Sequence, residues 1–244
     1  MKAVISSFHP CSYFFLKDWH PNTVLSFDSH IDANLGGFRI LETIERNKIL
    51  ECVLTRAATH FMMAKEFSNV IVAIPEIALK FDASITDEMI RESLVGFRKE
   101  GIEKTIVRKK EILKKLCGLK IIESPPKKPL EFSELLTEDC VIDIDIDYFT
   151  DMQSECYTRA VEQKNAELGK VEDVLKLIEK IKPEVITISE MKVSVLEDPN
   201  SKTRFFLKKL EDIEYKIEKN FVLNIEEEEY AMRTYNKLIL KKGK

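Results

Sequence analysis

Short apolar runs alternate along the chain with longer segments whose apolar residues recur at helical spacing. That alternation is the signature of strand–helix units built around a mainly parallel sheet. The candidate strands are AVISSF (3–8), TVLSFD (23–28), NVIVAI (69–74), LKIIE (119–123), CVIDIDID (140–147) and EVITIS (184–189). In KVEDVLKLIEKIKP, Val171, Val174, Leu175, Ile178 and Ile181 share one helical face, and Pro183 marks the stop. Thr86, followed by Asp87 and Glu88, reads as an N-cap with an acidic first turn, opening a helix to about Lys99 that ends near Gly101. The basic segment KTIVRKKEILKKLCG closes at Gly118. ESPPKKP (123–129) is a rigid surface connector, and the tail NIEEEEYAMRTYNKLILKKGK has the acidic start and basic end of a solvated helix. No internal repeat is present. The pattern predicts a three-layer α/β/α architecture with a mainly parallel sheet, in a single domain over residues 1–244.

Composition narrows the function classes. The 244 residues are 44% hydrophobic and 33% charged, with a net charge of −4, which argues against a nucleic-acid surface spread over the molecule. Five scattered cysteines without a C-x-x-C pair suggest neither a disulfide framework nor a thiolate zinc site, and they fit a reducing cytoplasm. No apolar run approaches the roughly 20 residues needed to span a bilayer, and MKAVISSF lacks the apolar core of a signal peptide. The expectation is a cytoplasmic chain with neither membrane nor nucleic acid as partner.

Two acidic clusters follow candidate strands. In VLSFDSHIDANLGG, Asp28, His30 and Asp32 sit two residues apart, so they share one side if the extended backbone continues through Asp32. In VIDIDIDYF, Asp143, Asp145 and Asp147 alternate with Ile142, Ile144 and Ile146, giving a carboxylate face against an isoleucine face. A solvated amphipathic strand is the plain alternative for this second run. Asp is nevertheless a poor strand former, and neighbouring carboxylates repel, so a cation is a simple remedy. Parallel sheets place ligands beyond the carboxyl ends of their strands, where both clusters fall. Carboxylates with imidazoles suit a pair of divalent ions, Mn²⁺ first and Zn²⁺, Fe²⁺ or Co²⁺ next. Such a pair activates water for hydrolysis.

These motifs resemble the arginase, agmatinase and histone-deacetylase superfamily, whose ureohydrolase branch carries Asp-Ala-His-x-Asp after one strand and Asp-x-Asp after a later one. DSHID matches the first, so the resemblance implies metal ligation by Asp28, His30 and Asp32. Asp145 and Asp147 match the second pair, with Asp143 in the place of a small hydroxyl residue; the register with Asp143 and Asp145 as ligands stays open. The family's remaining metal histidine is matched by His9 in SSFHPCS, ahead of His20, which precedes a strand instead of following one. ATHFMMA resembles the agmatinase segment that places a histidine toward substrate, which implies a proton-relay role for His60; a histidine within an amphipathic helix is the alternative. Glu190, closing ITISE, resembles the family's substrate-binding glutamate.

The resemblance implies a dinuclear hydrolase attacking a guanidinium, amidine or amide carbon. It also implies a small-molecule substrate, cationic or amide-bearing, and assembly into homo-oligomers. The Gly-Gly-Asp-His segment and the Asp-Pro after the second motif are missing, so the chain looks more like the short arginase-like proteins that share Asp-x-Asp-x-Asp-Tyr-Phe. Loss of catalysis in a metal-stabilised binding protein is the second reading. A deacetylase ranks lower because none of the four histidines is adjacent to another. No P-loop or G-x-G-x-x-G occurs.

Overall fold

The computed structural model describes residues 1–30, 32, 59–75, 111, 114, 118–124, 139–149, 169–189, 196, 198, 201–227, 229, 230 and 233. Its strands are β1 (Lys2–Ile5), β2 (Thr23–Phe27), β3 (Asn69–Pro75), β4 (Lys120–Ser124), β5 (Cys140–Asp145), β6 (Val185–Ser189) and β7 (Lys216–Lys219). The α-helices whose bounds fall among the described residues are α1 (His9–Trp19), α2 (Thr59–Glu66), α3 (Val171–Ile181) and α4 (Lys202–Asp212). The strands form one sheet in the order β4-β3-β2-β5-β6-β1-β7. Each of its pairings is parallel.

All six strands read from the sequence are present, and β7 adds a seventh at one end of the described sheet, hidden in the sequence because three of its four residues are charged. Its charges suit an edge, where they oppose pairing with another sheet. The central strands are buried on both faces, which is why they read as continuous apolar runs.

Alternation along these strands divides the core. Val24, Val70, Val72, Ile74, Val141 and Val185 pack with Tyr13 and Leu16 of α1 and with Phe61, Met62 and Met63 of α2. Leu25, Phe27, Ile71, Ile142, Ile144 and Ile186 face the other way, onto Val171, Val174, Leu177 and Ile178 of α3 and onto Phe206, Leu207 and Leu210 of α4. The layers are therefore helix, sheet, helix. Each of those buried α3 side chains contributes about 1.5–3 kcal/mol by leaving water. The helix stops where Lys182 turns left-handed and its N–H closes on the Ile178 carbonyl, just before Pro183. Leu177 is a deeper core residue than Leu175 or Ile181, which are only partly buried.

Helix α1 was not legible as a helix. It begins with His9 and Pro10, and proline's fixed φ suits a first turn whose N–H groups lack helical partners. It ends at His20, a left-handed C-cap whose N–H reaches the Leu16 carbonyl at 2.9 Å, ahead of Pro21. Gly118 also holds a left-handed φ of 75°, and its N–H reaches the Lys114 carbonyl at 3.1 Å, as the stop signal there suggested. The helix expected at 86–101, most of the basic segment before Gly118, most of ESPPKKP and residue Glu190 lie outside the described residues.

Candidate metal centre

Strand order creates the place where the acidic residues meet. From β2 the chain moves outward to β3 and β4, while from β5 it moves to β6 on the other side. The next described helices likewise lie on opposite faces, α2 after β2 and α3 after β5. Neighbouring strands whose connections diverge in this way leave a crevice at their carboxyl ends. Asp28 follows β2 and Asp145 ends β5, directly at that crevice. His9 enters from α1, whose first residue follows β1 by a short turn.

The two motifs reach the crevice by different local means from those expected. Extended backbone does not persist to Asp32: β2 ends at Phe27, and Asp32 has a left-handed φ of 43°. A turn gathers the three residues instead, with the His30 N–H bonded to Asp28 Oδ1 at 2.6 Å. The Phe61 N–H ties the Asp32 carbonyl to the start of α2 at 3.3 Å. Asp143 and Asp145 do share a strand face, but Asp147 lies in a 3₁₀ turn over Ile146–Tyr148. Asp145 caps that turn by accepting the Asp147 N–H. Tyr148 and Phe149 anchor it in the core against Phe27 and Phe206, so Asp147 is rolled toward His30.

His9 is the hub of the buried half. Its Nδ1 lies 3.0 Å from Asp32 Oδ2, 3.2 Å from Asp28 Oδ2 and 3.6 Å from Asp145 Oδ2, while its Nε2 lies 2.8 Å from Asp143 Oδ2. In the outer half His30 Nδ1 lies 2.9 Å from Asp147 Oδ2, and the Ser29 hydroxyl donates to Asp147 Oδ1 at 2.7 Å. The His30 side chain is 39% exposed and that of Asp147 27%, so the cluster opens to solvent here. His60 is fully buried, with Nε2 3.7 Å from Asp28 Oδ2 and 2.8 Å from Ser26 Oγ. It is thus both a helix residue, in α2, and part of the cluster. His20 caps the far end of α1, away from these groups.

Electrostatics follow from this packing. Burial alone lowers the affinity of His9 for a proton, but the charge and hydrogen bond of Asp143, with Asp28 and Asp32, reverse this and push its pKa well up. His30 is likewise pushed up, burial being outweighed by its bonds to Asp147 and Asp28. Burial opposes ionisation of Asp28 and Asp143, yet the histidines around them hold both below the usual carboxylate range. Asp32 goes the other way, raised by burial and by the charge of Asp28.

The donor set fits divalent ions. Among the described residues, His9, Asp28 and His60 form one group with ligand atoms within 4.8 Å of one another, and Asp28, His30 and Asp147 form a second. Asp28 belongs to both, and its buried Oδ2 receives no well-aligned hydrogen bond, an orphan that a cation would satisfy. Asp28, Asp32, Asp143, Asp145 and Asp147 outnumber His9, His30 and His60, so imidazolium formation alone does not balance the five carboxyls. The sequence did not single out Ser26, Ser29 or Thr187. The available signal was a hydroxyl residue inside an otherwise apolar strand, at the same register as an aspartate.

No protein-family model matches the chain, and no curated protein matches it. Among solved structures it is similar to arginase from Helicobacter pylori, with a TM-score of 0.43 and 12% sequence identity, covering 86% of this chain and 71% of that one. A likeness this distant says nothing about activity.

Proposed function

We propose that the protein is a metal-dependent hydrolase acting on carbon–nitrogen bonds other than peptide bonds, in a guanidinium, amidine or amide. His9, Asp28, His30, Asp32, Asp145 and Asp147 would hold two divalent ions, Mn²⁺ before Zn²⁺, Fe²⁺ or Co²⁺. The observation that carries the metal reading is the Asp28 carboxylate, common to both ligand groups and with one buried oxygen lacking a hydrogen bond. Mixed carboxylate and imidazole ligands suit ions of this intermediate hardness. Bound ions of this kind supply a water acidified to near neutral pH and neutralise charge developing on the substrate.

The chain's own side chains supply the rest. His9, Asp32 and Asp145 serve the buried side of Asp28, and His30 with Asp147 serves the side open to solvent, where substrate enters. His60, the buried imidazole 3.7 Å from Asp28, is assigned to proton transfer, and Glu190 to substrate contact. The choice of a carbon–nitrogen bond rests on the resemblance of DSHID and of Asp145-x-Asp147 to the ureohydrolase motifs.

The test is elemental analysis of chain remetallated with Mn²⁺, then turnover of guanidino compounds, N-acyl amines and phosphoesters, beside Asp145→Ala and His60→Ala. The proposal expects bound ion, its loss in Asp145→Ala, and hydrolysis of a carbon–nitrogen substrate that His60→Ala slows. No ion in the remetallated chain, with Asp145→Ala unchanged, overturns the metal site. Bound ion without turnover leaves a metal-stabilised binding protein.

A further inference from the structure

One carboxylate in the cluster is occupied differently from the others. Asp143 lies in a row across three neighbouring strands: Ser26 of β2 pairs with Asp143 of β5, which pairs with Thr187 of β6. All three are buried on the sheet face that α1 and α2 cover. The Thr187 hydroxyl donates to Asp143 Oδ1 at 2.6 Å. The Ser26 hydroxyl donates to Oδ2 at 2.7 Å, and His9 Nε2 approaches the same oxygen at 2.8 Å. An ionised carboxylate only accepts, so the His9 contact requires a proton on Nε2.

The same bookkeeping extends to His60. Ser26 has one hydroxyl proton, and it is spent on Asp143. The 2.8 Å contact between Ser26 Oγ and His60 Nε2 therefore has the imidazole as donor. A directed chain results, from His60 Nε2–H to the Ser26 hydroxyl to Asp143, with His9 Nε2–H arriving from the other side. The two rings stand edge to face, with centroids 5.0 Å apart.

We propose that Asp143 is a positioning residue that keeps a proton on His9 Nε2, and through Ser26 on His60 Nε2, so that His9 Nδ1, beside Asp28, Asp32 and Asp145, is the nitrogen a metal ion would take. The inference rests on the metal-site reading and adds to it. Asp143 is set apart from the ligands because Thr187 holds one of its oxygens and Ser26 with His9 the other, and His60 does not ligate through Nε2, whose proton is engaged. The first aspartate of VIDIDIDYF thus orients a ligand, while the second and third do the ligating. A carboxylate behind a metal-bound histidine sets the ring's tautomer and orientation and raises its basicity, and removing such a partner costs about 10–100-fold in metal affinity.

Two measurements on the full chain test this. In chain loaded with diamagnetic Zn²⁺ and labelled with ¹⁵N-histidine, long-range ¹H–¹⁵N correlation spectra should show protonated Nε2 on both His9 and His60, with His9 Nδ1 carrying the metal-bound shift. A proton on His9 Nδ1, or His60 bound to metal through Nε2, overturns the proposal. Asp143→Asn should weaken Mn²⁺ binding, measured by competition with a chromophoric chelator, by about 10–100-fold while the circular dichroism stays native. Affinity within twofold of the parent chain overturns it. Thr187→Val removes a donor to the same carboxylate without touching either histidine, and should give a smaller loss in the same direction. If the parent chain binds neither Zn²⁺ nor Mn²⁺, the metal-site reading itself has failed, a result distinct from a parent chain that binds normally and is indifferent to Asp143→Asn.

Discussion

On the proposed metal reading, removing metal should change not only the stability of the protein but the sign of its response to pH. In the metal-free chain His9 and His30 bind protons more tightly than free histidine. Their contribution is full below about pH 6.5 and is lost as pH rises through the folded values. Asp28 and Asp143 are held below the usual range, so theirs is present above about pH 3.9 and lost as pH falls through the folded values. The metal-free chain is therefore favoured between about pH 4 and 6.5. On the proposed metal reading an ion would reverse the alkaline side, because ligation by His9 Nδ1, 3.0 Å from Asp32 Oδ2, requires that nitrogen to carry no proton.

One proton released makes affinity rise about tenfold per pH unit while the group stays protonated in the metal-free chain. If Mn²⁺ stands a hundredfold above its Kd at pH 7.5, it adds about 2.7 kcal/mol. For a chain of this size that is a Tm rise of about 5–11 °C. At pH 5.5 the same concentration is near the Kd and adds about 0.4 kcal/mol, or about 1 °C. Thermal melts followed by circular dichroism at the two pH values, in chelator and in Mn²⁺, measure this directly. An equal shift at both pH values, or none at pH 7.5 with saturating Mn²⁺, would refute the reasoning.

Further outcomes test the scaffold beneath the site. Gly169→Ala would drive its Cβ into the ring of Tyr148, which is fixed between Phe27 and Phe149. Overpacking of this kind costs about 1–3 kcal/mol; because the same turn carries Asp147, both Tm and Mn²⁺ affinity should fall, and an unchanged Tm would count against the packing described. Tyr215→Phe removes the hydroxyl that donates to the Pro183 carbonyl at 2.6 Å, leaving a buried acceptor unsatisfied. Urea unfolding should report a loss of about 1–3 kcal/mol at unchanged m-value, with metal binding intact. Cys140, 3% exposed and with its thiol pushed up to about 12 by burial, should resist iodoacetamide at pH 8 in the native chain and react only on unfolding. Peptide-resolved mass spectrometry within minutes of labelling would show any failure.

Strand identity, parallel class and the two acidic motifs were legible because they depend on short-range pattern: apolar runs of fixed length, punctuation by proline and glycine, and spacing within a few residues. Thus β2, β5 and β6 fall within a residue or two of the expected bounds, and Asp28, His30, Asp32, Asp145 and Asp147 stand out as acidic and imidazole residues at regular spacing. Helix α1 was missed because its start depends on Pro10 and its C-cap on a left-handed His20, not on a clean apolar period. Strand β7 was missed because its four residues, KIEK, include three charged ones and only one apolar one.

Which residues meet, and what each does on meeting, was decided by tertiary structure. No spacing rule brings Asp143 to His9, separated by 134 positions, or aligns Ser26, Asp143 and Thr187 in one row. Those contacts come from strand order and register, which place β2, β5 and β6 side by side. Sequence determined that carboxylates and imidazoles would gather at strand ends, since that follows from alternation and local chemistry. Only the fold could distinguish Asp143, whose oxygens take hydrogen bonds from Thr187 and Ser26, from Asp28 and Asp147, which lie in groups able to hold an ion, because the distinction lies in which donors reach each oxygen.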